Sequence, residues 1–283
     1  MNVNAIAADT FLLGGDLRIN RLGFGAMRLA LGGSIRDPEA AIAVLRRAVE
    51  LGVNHIDTAG TYGFGDLQAH ELIRQALSPY PSDLMIATKV SSPGEATAAQ
   101  LRGLVEKDLR RLGQDHLDLV YLRVGGMGKA GGEPLGERFT ALADLRREGL
   151  IRHLGVSHVD ATQLAEAQSI APVTAVQNQF HIHDQSDTDV LARCEQDGIA
   201  YVPYFPLGGG KDRIDATRLT SVASRHQATP AQVALAWLLA TSPVTLAIPG
   251  TSSLDHLTDN IAATGLRLTI DDLAKLSEQH RMI

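Results

Sequence analysis

The chain alternates short apolar runs rich in strand-forming residues with longer stretches whose apolar positions recur at helical spacing. Such alternation predicts strands that each lead into a helix, and therefore parallel strands covered by helices. The predicted strands lie near 21–24, 53–56, 84–88, 117–121, 151–154, 173–177, 199–203 and 244–248. The predicted helices lie near 38–51, 66–77, 98–112, 136–148, 160–169, 187–197, 218–226, 230–240 and 254–263. Eight strand–helix units in about 250 residues are typical of a (β/α)8 TIM barrel, and an open, doubly wound sheet is the alternative.

Local signals at the helix ends support this α/β pattern. Asp37 can cap a helix that begins at Pro38, because proline suits the first helical position. Thr269 together with Asp272 resembles a capping box and predicts a last helix over 270–280. The C-terminal region therefore carries extra helices beyond the eight repeating units.

The remaining features of the architecture are the N-terminal segment and the number of domains. The segment FLLGGDLRI predicts an N-terminal β-hairpin with Gly14 and Gly15 in its turn. No linker or low-complexity tract breaks the alternation, so we expect one barrel domain over residues 1–283.

Composition narrows the possible partners. The formal net charge of −6 does not attract nucleic acids or anionic membranes at long range. No apolar stretch approaches the roughly 20 residues that a membrane helix needs. The single cysteine, Cys194, excludes an internal disulfide and fits a reducing compartment. We therefore expect a cytoplasmic protein that binds a small molecule and neither nucleic acid nor membrane.

Ionisable side chains follow three successive predicted strands. The second strand runs into Asp57, the third into Lys89 and the fourth into Arg123. Tyr62 lies five residues after Asp57, in the following loop. Because barrel chemistry sits at the carboxyl ends of the strands, we expect these four side chains to converge on one mouth.

These residue types suit the reduction of a carbonyl group. A hydride adds to the carbonyl carbon, and the oxygen must then receive a proton. A lysine cation beside a tyrosine favours the phenolate, an aspartate holds the lysine charged, and a further donor polarises the oxygen. The alternative from spacing alone is an Asp57–Lys89 ion pair at a strand end, with Tyr62 and Arg123 in solvent.

The motifs GVNHIDTAGTYG, ATKV and DLVYL resemble the signature of the aldo-keto reductase family. LGFGAM, GVSH, VQNQF, YFPLGGG and IPGTSS follow in the order of that family, and the likeness runs from about residue 11 to 280. The resemblance implies a barrel that binds NADPH (NADP) in extended form, with NADH a less suitable cofactor. It also implies that Asp57, Tyr62 and Lys89 occupy three of the four catalytic positions, and that the chain is a monomer or weak homo-oligomer.

The fourth catalytic position departs from the family, which usually has histidine where this chain has Arg123. Arginine stays charged and only donates hydrogen bonds, so it could polarise an oxyanion or bind an anionic group but could not relay a proton. The segments YLRV, YVPYFPLGG and LAIPGTSS resemble the bacterial pyridoxal reductase branch of the family. That likeness makes the reduction of pyridoxal to pyridoxine the leading expected activity.

A cofactor site is expected along the barrel mouth. The segment IPGTSSLDH places hydroxyl residues at the start of a helix, where free N–H groups can hold a phosphate. Tyr204 would stack on the nicotinamide by resemblance, although a core aromatic is an equal interpretation from the residues alone. The cofactor contacts implied by the resemblance are Gly25, Ala26, Met27, Asp57, Ser157, His158, Gln177, Tyr204, Pro206, Leu207, Gly208, Gly250, Thr251, Ser252, Ser253, His256 and Asn260.

Two patterns suggest other chemistry and are set aside. Gly126, Gly128 and Gly131 spell GxGxxG, but they do not directly follow a strand, so we interpret them as part of a loop over the barrel mouth. His181 and His183 have a chelating spacing but no cysteine nearby, so no metal site is expected.

The remaining histidines and the cysteine are given structural roles. We expect His55 to pack against neighbouring elements, and His70, His116 and His153 to lie at the surface or at helix caps. Cys194, on a predicted helix, is expected to be buried rather than reactive.

Two other functions stay open at this stage. The chain could reduce a different carbonyl, such as a natural-product intermediate or a quinone. It could also be a cofactor-binding regulatory protein with little turnover, an option that the Arg123 substitution keeps open.

Overall fold

The protein folds as a ring of parallel strands surrounded by helices. A computed structural model describes residues 3–31, 37–91, 96–125, 130–131, 133–210 and 216–277. In these ranges the strands are β1 (Thr10–Leu13), β2 (Leu17–Asn20), β3 (Phe24–Gly25), β4 (His55–Asp57), β5 (Gly63–Phe64), β6 (Leu67–Gln68), β7 (Met85–Ser91), β8 (Leu117–Arg123), β9 (Ile151–Ser157), β10 (Ala175–Gln177) and β11 (Ala200–Tyr201). The α-helices are α1 (Met27–Ala30), α2 (Pro38–Glu50), α3 (Ala69–Leu77), α4 (Ala98–Leu112), α5 (Gly136–Arg147), α6 (Ala161–Ile170), α7 (Thr188–Asp197), α8 (Ala216–His226), α9 (Pro230–Ala240), α10 (Leu254–Ala262) and α11 (Ile270–Ser277).

Seven strands form one parallel sheet, in the order β11, β10, β9, β8, β7, β4, β3. Segment 244–248 joins the two edges of this sheet. The Leu246 amide donates to the Tyr201 carbonyl at 2.8 Å, and the Ala247 amide donates to the Arg21 carbonyl at 2.9 Å. The segment therefore acts as the eighth strand and closes the ring. The (β/α)8 barrel is confirmed, and the open sheet is excluded.

Alternation along the strands divides the core into two parts. One set of side chains fills the barrel interior: Leu13, Ile19, Met85, Ala87, Leu119, Tyr121, Ala175, Ala200, Val202, Leu246 and Ile248. The outward side chains join the apolar faces of the helices in a larger cluster. The interior is therefore packed with side chains, and a ligand has room only where the strands end.

The predicted N-terminal hairpin is confirmed, and it lies below the barrel. β1 pairs antiparallel with β2, and Asp16 in the turn accepts hydrogen bonds from Arg152 and His153 at the start of β9. Gly14 has φ +62°, and a Cβ at that position would collide with the His153 ring. Glycine is therefore required in this turn for both its backbone angle and its lack of a side chain.

The predicted helix caps are present. Asp37 accepts the Glu39 amide at 3.0 Å and Pro38 begins α2. At the last helix, the Thr269 hydroxyl accepts the Asp272 amide at 3.1 Å and Asp272 accepts the Thr269 amide at 3.0 Å. The end of the predicted helix, 278–280, lies outside the described residues.

One predicted helix starts later than the pattern indicates. Instead of a helix from residue 66, a small hairpin of β5 and β6 precedes α3, which begins at Ala69. Gly65 has φ +58°, a left-handed conformation that suits a turn and not a helix. The hairpin places residues 63–68 directly beyond Tyr62, at the barrel mouth.

Buried histidines also differ from expectation. His55 packs inside the structure as predicted, but His70 and His153, expected at the surface or at caps, are 1% and 5% exposed. Both have carboxylate partners that only the tertiary fold supplies, Asp108 for His70 and Asp16 for His153. For His55, which is 2% exposed, burial lowers the pKa from 6.5 to about 4.

This shift predicts an acid-sensitive fold. The folded chain resists protonation of His55 while the unfolded chain accepts it, so stability is lost as pH falls from 6.5 to about 4. Protonation of His55 in the unfolded chain should lower the free energy of unfolding by about 3 kcal/mol between pH 7 and pH 4. Chemical denaturation of wild type and His55→Gln at pH 7 and pH 4 measures it. The unfolding free energy of His55→Gln should fall less between pH 7 and pH 4 than that of wild type, by that amount. An equal fall in the two proteins would contradict the role given to His55.

Candidate active site

Three polar side chains lie at the upper ends of neighbouring strands. Asp57 is the last residue of β4, Lys89 lies in the upper half of β7, and Arg123 is the last residue of β8. The sheet order places these strands side by side. Because the carboxyl ends of parallel strands face one mouth, the three residues share it, as the sequence predicts.

Lys89 is buried and paired with Asp57. The Lys89 Nζ donates to Asp57 Oδ2 at 2.6 Å and to the Thr58 carbonyl at 2.9 Å. Lys89 is 3% exposed and Asp57 4%. A buried ammonium needs both an opposite charge and hydrogen-bond acceptors, and this arrangement provides them.

Tyr62 lies above the lysine. Its ring centroid is 5.0 Å from Lys89 Nζ. The backbone holds the tyrosine in place, because the Tyr62 amide donates to the Ala59 carbonyl at 3.0 Å and the Ala69 amide donates to the Tyr62 carbonyl at 2.9 Å. The solvent-exposed alternative for Tyr62 therefore does not describe this loop.

The charge state of Lys89 follows from its surroundings. Burial acts to lower the pKa of Lys89, but the Asp57 charge and the Tyr62 side chain outweigh it and raise that pKa above its usual value. The lysine therefore stays a cation at neutral pH. When a phenol gives its proton to a substrate oxygen, a fixed cation beside it stabilises the phenolate that remains.

Gln177 and Tyr121 complete the floor of the site. Gln177 Nε2 donates to Asp57 Oδ1 at 2.7 Å, so both carboxylate oxygens of Asp57 are engaged. Burial and the Asp57 charge raise the pKa of Tyr121 well above its usual range, so Tyr121 stays a neutral phenol below the site. Tyr121 was not among the residues predicted for the site. Its position two residues before Arg123 indicates that both side chains point to the same face of β8.

Arg123 ends β8, between Lys89 on β7 and Ser157 on β9, and its charge reaches Tyr204. Its charge lowers the pKa of Tyr204, but burial has the larger effect and the pKa of Tyr204 is raised overall. The Tyr204 hydroxyl lies 3.1 Å from His158 Nδ1. Ser157, at the end of β9, is paired in register with Arg123 and with Gln177. The predicted residues of β8, β9 and β10 are therefore neighbours.

A cavity of about 340 Å³ opens beside the catalytic candidates. Of the predicted residues, it is lined by Gly25, Met27, Asp57, Tyr62, Tyr204, Pro206, Leu207, Gly250, Thr251, Ser252 and His256. Seven other predicted cofactor residues do not line it: Ala26, Ser157, His158, Gln177, Gly208, Ser253 and Asn260. Lys89 and Arg123 also lie outside its lining.

One end of the cavity is suited to an anion. Ser253 caps α10 by accepting the His256 amide at 3.3 Å, and the Thr251 hydroxyl accepts the Ser253 amide at 3.1 Å. The N-terminus of this helix carries partial positive charge next to the cavity. Thr251 and Ser252 line the cavity at this terminus, so a phosphate group there would meet hydroxyl donors and the positive end of the helix.

Arg28 is a cavity residue that the sequence analysis missed. Its Nη2 donates to the Gly209 carbonyl at 2.8 Å, and its Cγ lies 3.6 Å from where a Cβ at Gly250 would be. A basic side chain thus lies next to Gly250. The available signal was its position, one residue after the predicted contact Met27.

Close backbone contact explains two glycines in the cavity wall. A Cβ at Gly25 would lie 2.7 Å from the Ile248 carbonyl oxygen, and a Cβ at Gly250 would lie 2.5 Å from the Gly25 carbonyl oxygen. The two segments therefore approach each other only because neither has a side chain there.

The remaining patterns have structural explanations where they are described. The His181 Nδ1 accepts the His183 amide at 3.3 Å, and the described ranges contain no group of three or more His, Cys, Asp or Glu arranged for a metal ion. Cys194 is buried, and burial raises the pKa of its thiol to about 12. Gly126 and Gly128 lie outside the described residues. In the part of the chain that is described, every helix is too short or too polar to cross a membrane.

Comparison with known proteins establishes the class. The sequence model that describes the aldo/keto reductase family matches residues 21–280 of this chain. The chain belongs to the aldo/keto reductase family and is an oxidoreductase.

Individual relatives cover nearly the whole chain. Pyridoxine 4-dehydrogenase of Escherichia coli (strain K12) is 45% identical over 96% of this chain and 98% of its own length. An uncharacterized oxidoreductase of Schizosaccharomyces pombe is 40% identical over 98% of this chain and 92% of its own length. The crystal structure of a Klebsiella pneumoniae aldo-keto reductase in complex with NADPH superposes with a TM-score of 0.82 at 27% identity, covering 97% of both chains.

The buried ion pair predicts strong coupling between Asp57 and Lys89. Asp57→Asn leaves a buried ammonium without its counter-charge and should cost about 3–5 kcal/mol of unfolding free energy. Adding Lys89→Met should recover part of that loss, so the double variant is more stable than the sum of the single changes predicts. Urea denaturation of the four proteins tests this, and additive losses would show that the pair is not coupled.

Proposed function

We propose that the chain is a barrel reductase that uses NADPH to reduce an aldehyde, with pyridoxal, converted to pyridoxine, as its leading substrate. The observation that carries the proposal is the buried Asp57–Lys89 pair beneath Tyr62 at the wall of the cavity. The Escherichia coli relative named pyridoxine 4-dehydrogenase supports the substrate, since oxidation of pyridoxine and reduction of pyridoxal are one reaction in two directions.

Each catalytic candidate has a distinct role in this proposal. NADPH would supply the hydride that adds to the carbonyl carbon. As the hydride is transferred, Tyr62 donates its phenolic proton to the carbonyl oxygen in the same step, because it is the titratable hydroxyl that lines the cavity above Lys89. Lys89 stabilises the resulting phenolate by its charge, and Asp57 keeps Lys89 charged and oriented.

The cavity residues account for cofactor binding. The helix α10 terminus with Thr251, Ser252 and His256 would hold a phosphate, as N-terminal helix sites do. Arg28 adds the positive charge that Gly250 cannot supply, which favours NADPH over NADH. Tyr204 would cover the nicotinamide ring. The Klebsiella pneumoniae structure with NADPH supports the same cofactor here.

Arg123 would determine which aldehyde is preferred. Pyridoxal carries a phenolic oxygen next to its aldehyde that is readily ionised near neutral pH. A permanent guanidinium at the mouth would bind that oxygen, whereas a neutral histidine would do so less well. This role explains why the family's usual histidine is replaced without loss of Asp57, Tyr62 or Lys89.

The proposal predicts a Tyr62-dependent reaction. Purified protein with NADPH and pyridoxal should show a decrease in absorbance at the reduced-nicotinamide band, and NADH should support a slower rate. Tyr62→Phe removes the proton donor and should lower the rate by about 10²–10⁴-fold. NADPH binding without oxidation by pyridoxal, benzaldehyde or a quinone would instead favour a regulatory protein with little turnover.

The same assay tests Arg123. Wild type should reduce pyridoxal much faster than the uncharged benzaldehyde. In Arg123→His the ratio of the pyridoxal rate to the benzaldehyde rate should fall about tenfold or more, since a charge-assisted hydrogen bond contributes about 1.5–3 kcal/mol. Arg123→Lys, which keeps the charge, serves as the control. An unchanged ratio in Arg123→His would contradict the role assigned to the guanidinium.

A further inference from the structure

A cluster of three polar side chains is buried directly behind the catalytic strand. His70 in α3, Thr88 in β7 and Asp108 in α4 are 1%, 0% and 3% exposed. We call them the outer-wall cluster, because they lie between the barrel and its helices. None of them lines the cavity, and the proposed reaction uses none of them.

The hydrogen bonds of the outer-wall cluster form a connected set. Thr88 Oγ1 lies 2.9 Å from Asp108 Oδ2 and 3.1 Å from His70 Nε2. An ionised carboxylate only accepts, so the single hydroxyl hydrogen of Thr88 goes to Asp108, and Thr88 must accept from His70. His70 Nε2 therefore carries a hydrogen. His70 Nδ1 lies 3.4 Å from Asp108 Oδ1 without a hydrogen bond, so Thr88 is the residue that links the other two.

Strand geometry connects this cluster to Lys89. Successive residues of a strand point to opposite faces, so Thr88 faces the helices while Lys89 faces the barrel interior. Their contacts agree, because Thr88 bonds α3 and α4 whereas Lys89 bonds Asp57. Anchoring Thr88 from outside fixes the backbone that sets the direction of Lys89.

Helix α4 also touches the loop that carries Tyr62. A Cβ at Gly60 would lie 2.5 Å from Asp108 Oδ1, so the loop backbone lies against the buried carboxylate. One helical turn later, Arg111 Nη1 donates to the Gly60 carbonyl at 3.3 Å. On the inner side, Lys89 Nζ holds the Thr58 carbonyl of the same loop at 2.9 Å.

We propose that the outer-wall cluster is a positioning element that sets the placement of Tyr62 relative to Lys89. This inference rests on the catalytic roles proposed for those two residues. Asp108 is its centre, because it contacts Thr88, which precedes the lysine, and Gly60, which precedes the tyrosine by two residues. Proton donation depends on geometry, and a displacement of about 1 Å can cost up to a hundredfold in rate.

The position of the cluster explains the use of polar residues there. Three apolar side chains could fill the same space and avoid the cost of desolvating a carboxylate. Two hydrogen bonds that meet at the Thr88 hydroxyl fix distance and direction, whereas apolar packing of this size tolerates sliding. A buried polar network therefore suits a place where two catalytic segments must keep one spacing.

Thr88→Val is the decisive change, because it keeps the shape of the side chain and removes its hydroxyl. We expect kcat with NADPH and the generic probe 4-nitrobenzaldehyde to fall about ten- to a hundredfold. KM for NADPH and the NADPH binding stoichiometry should stay within twofold of wild type, within the scatter usual for distant, uncoupled sites. Thr88→Ser restores the hydroxyl and should return kcat to near the wild-type value.

Thr245→Val is the matched control. Thr245 is fully buried in the eighth barrel strand, and its hydroxyl lies 3.3 Å from the Thr241 hydroxyl, away from Tyr62 and Lys89. If the cluster acted only on stability, Thr88→Val and Thr245→Val would lower the unfolding temperature alike while kcat per NADPH-binding site stayed unchanged. That outcome, or failure of Thr88→Ser to restore kcat, would overturn the inference.

A second readout separates positioning from loss of folded enzyme. With NADPH deuterated at the transferred position, impaired positioning makes the chemical step more rate-limiting, so the isotope effect on kcat should rise in Thr88→Val. A smaller fraction of folded enzyme would leave that effect unchanged. Gly60→Ala, which pushes the loop off Asp108, should show the same rise, and an isotope effect equal to wild type in both variants would overturn the inference.

The choice of substrate keeps the two proposals distinct. If wild type reduces 4-nitrobenzaldehyde but not pyridoxal, the substrate proposal fails and the cluster is still tested by Thr88→Val. If Tyr62→Phe reduces 4-nitrobenzaldehyde as fast as wild type, the catalytic assignment fails, and the positioning role fails with it.

Discussion

The buried ammonium of Lys89 is the charge around which the barrel mouth is arranged. A lone cation at 3% exposure would cost several kcal/mol, so the fold must bring acceptors to it. Asp57 and the Thr58 carbonyl do so from β4 and the loop that follows it. Asp57 in turn accepts from Gln177. One charge thus determines the positions of side chains from three strands.

The closed ring makes this arrangement possible. In the sheet order, β10 and β4 are separated by β9, β8 and β7, yet Gln177 and Asp57 are 2.7 Å apart. They meet because the curled sheet brings both strands around a shared interior. In an open sheet the same residues would lie along one edge, several strand spacings apart. The Gln177–Asp57 hydrogen bond therefore depends on the closure of the ring by segment 244–248.

Catalytic and binding functions are divided between two sides of the mouth. The proton-donating group rests on β4, β7 and their helices, where contacts are dense and polar groups are buried. Apart from Asp57 and Tyr62, the cavity is lined by the segments after β3, β11 and 244–248, where glycines allow close approach and the α10 terminus brings partial positive charge. A rigid reactive centre beside a groove of backbone amides suits an enzyme that holds an extended cofactor against a small carbonyl.

The sequence by itself determined the barrel class, the hairpin, most helix ends and the position of Asp57, Tyr62, Lys89 and Arg123 at strand ends. These features are local, since periodicity, turn residues and caps act within a few positions of the chain. It also placed ten of the proposed cofactor residues in the cavity wall, through the motifs that resemble the family.

Only the tertiary structure decided the partners of those residues. His70 and His153 were expected near the surface, and both are buried against carboxylates 38 and 137 positions away. Gln177 bonds Asp57 across 120 positions, and Arg28 reaches the Gly209 carbonyl across 181. The helix expected from residue 66 yields to a hairpin because Gly65 adopts a left-handed turn. Local pattern shows which face a side chain takes, but burial and pairing depend on which distant segment the closed barrel brings to that face.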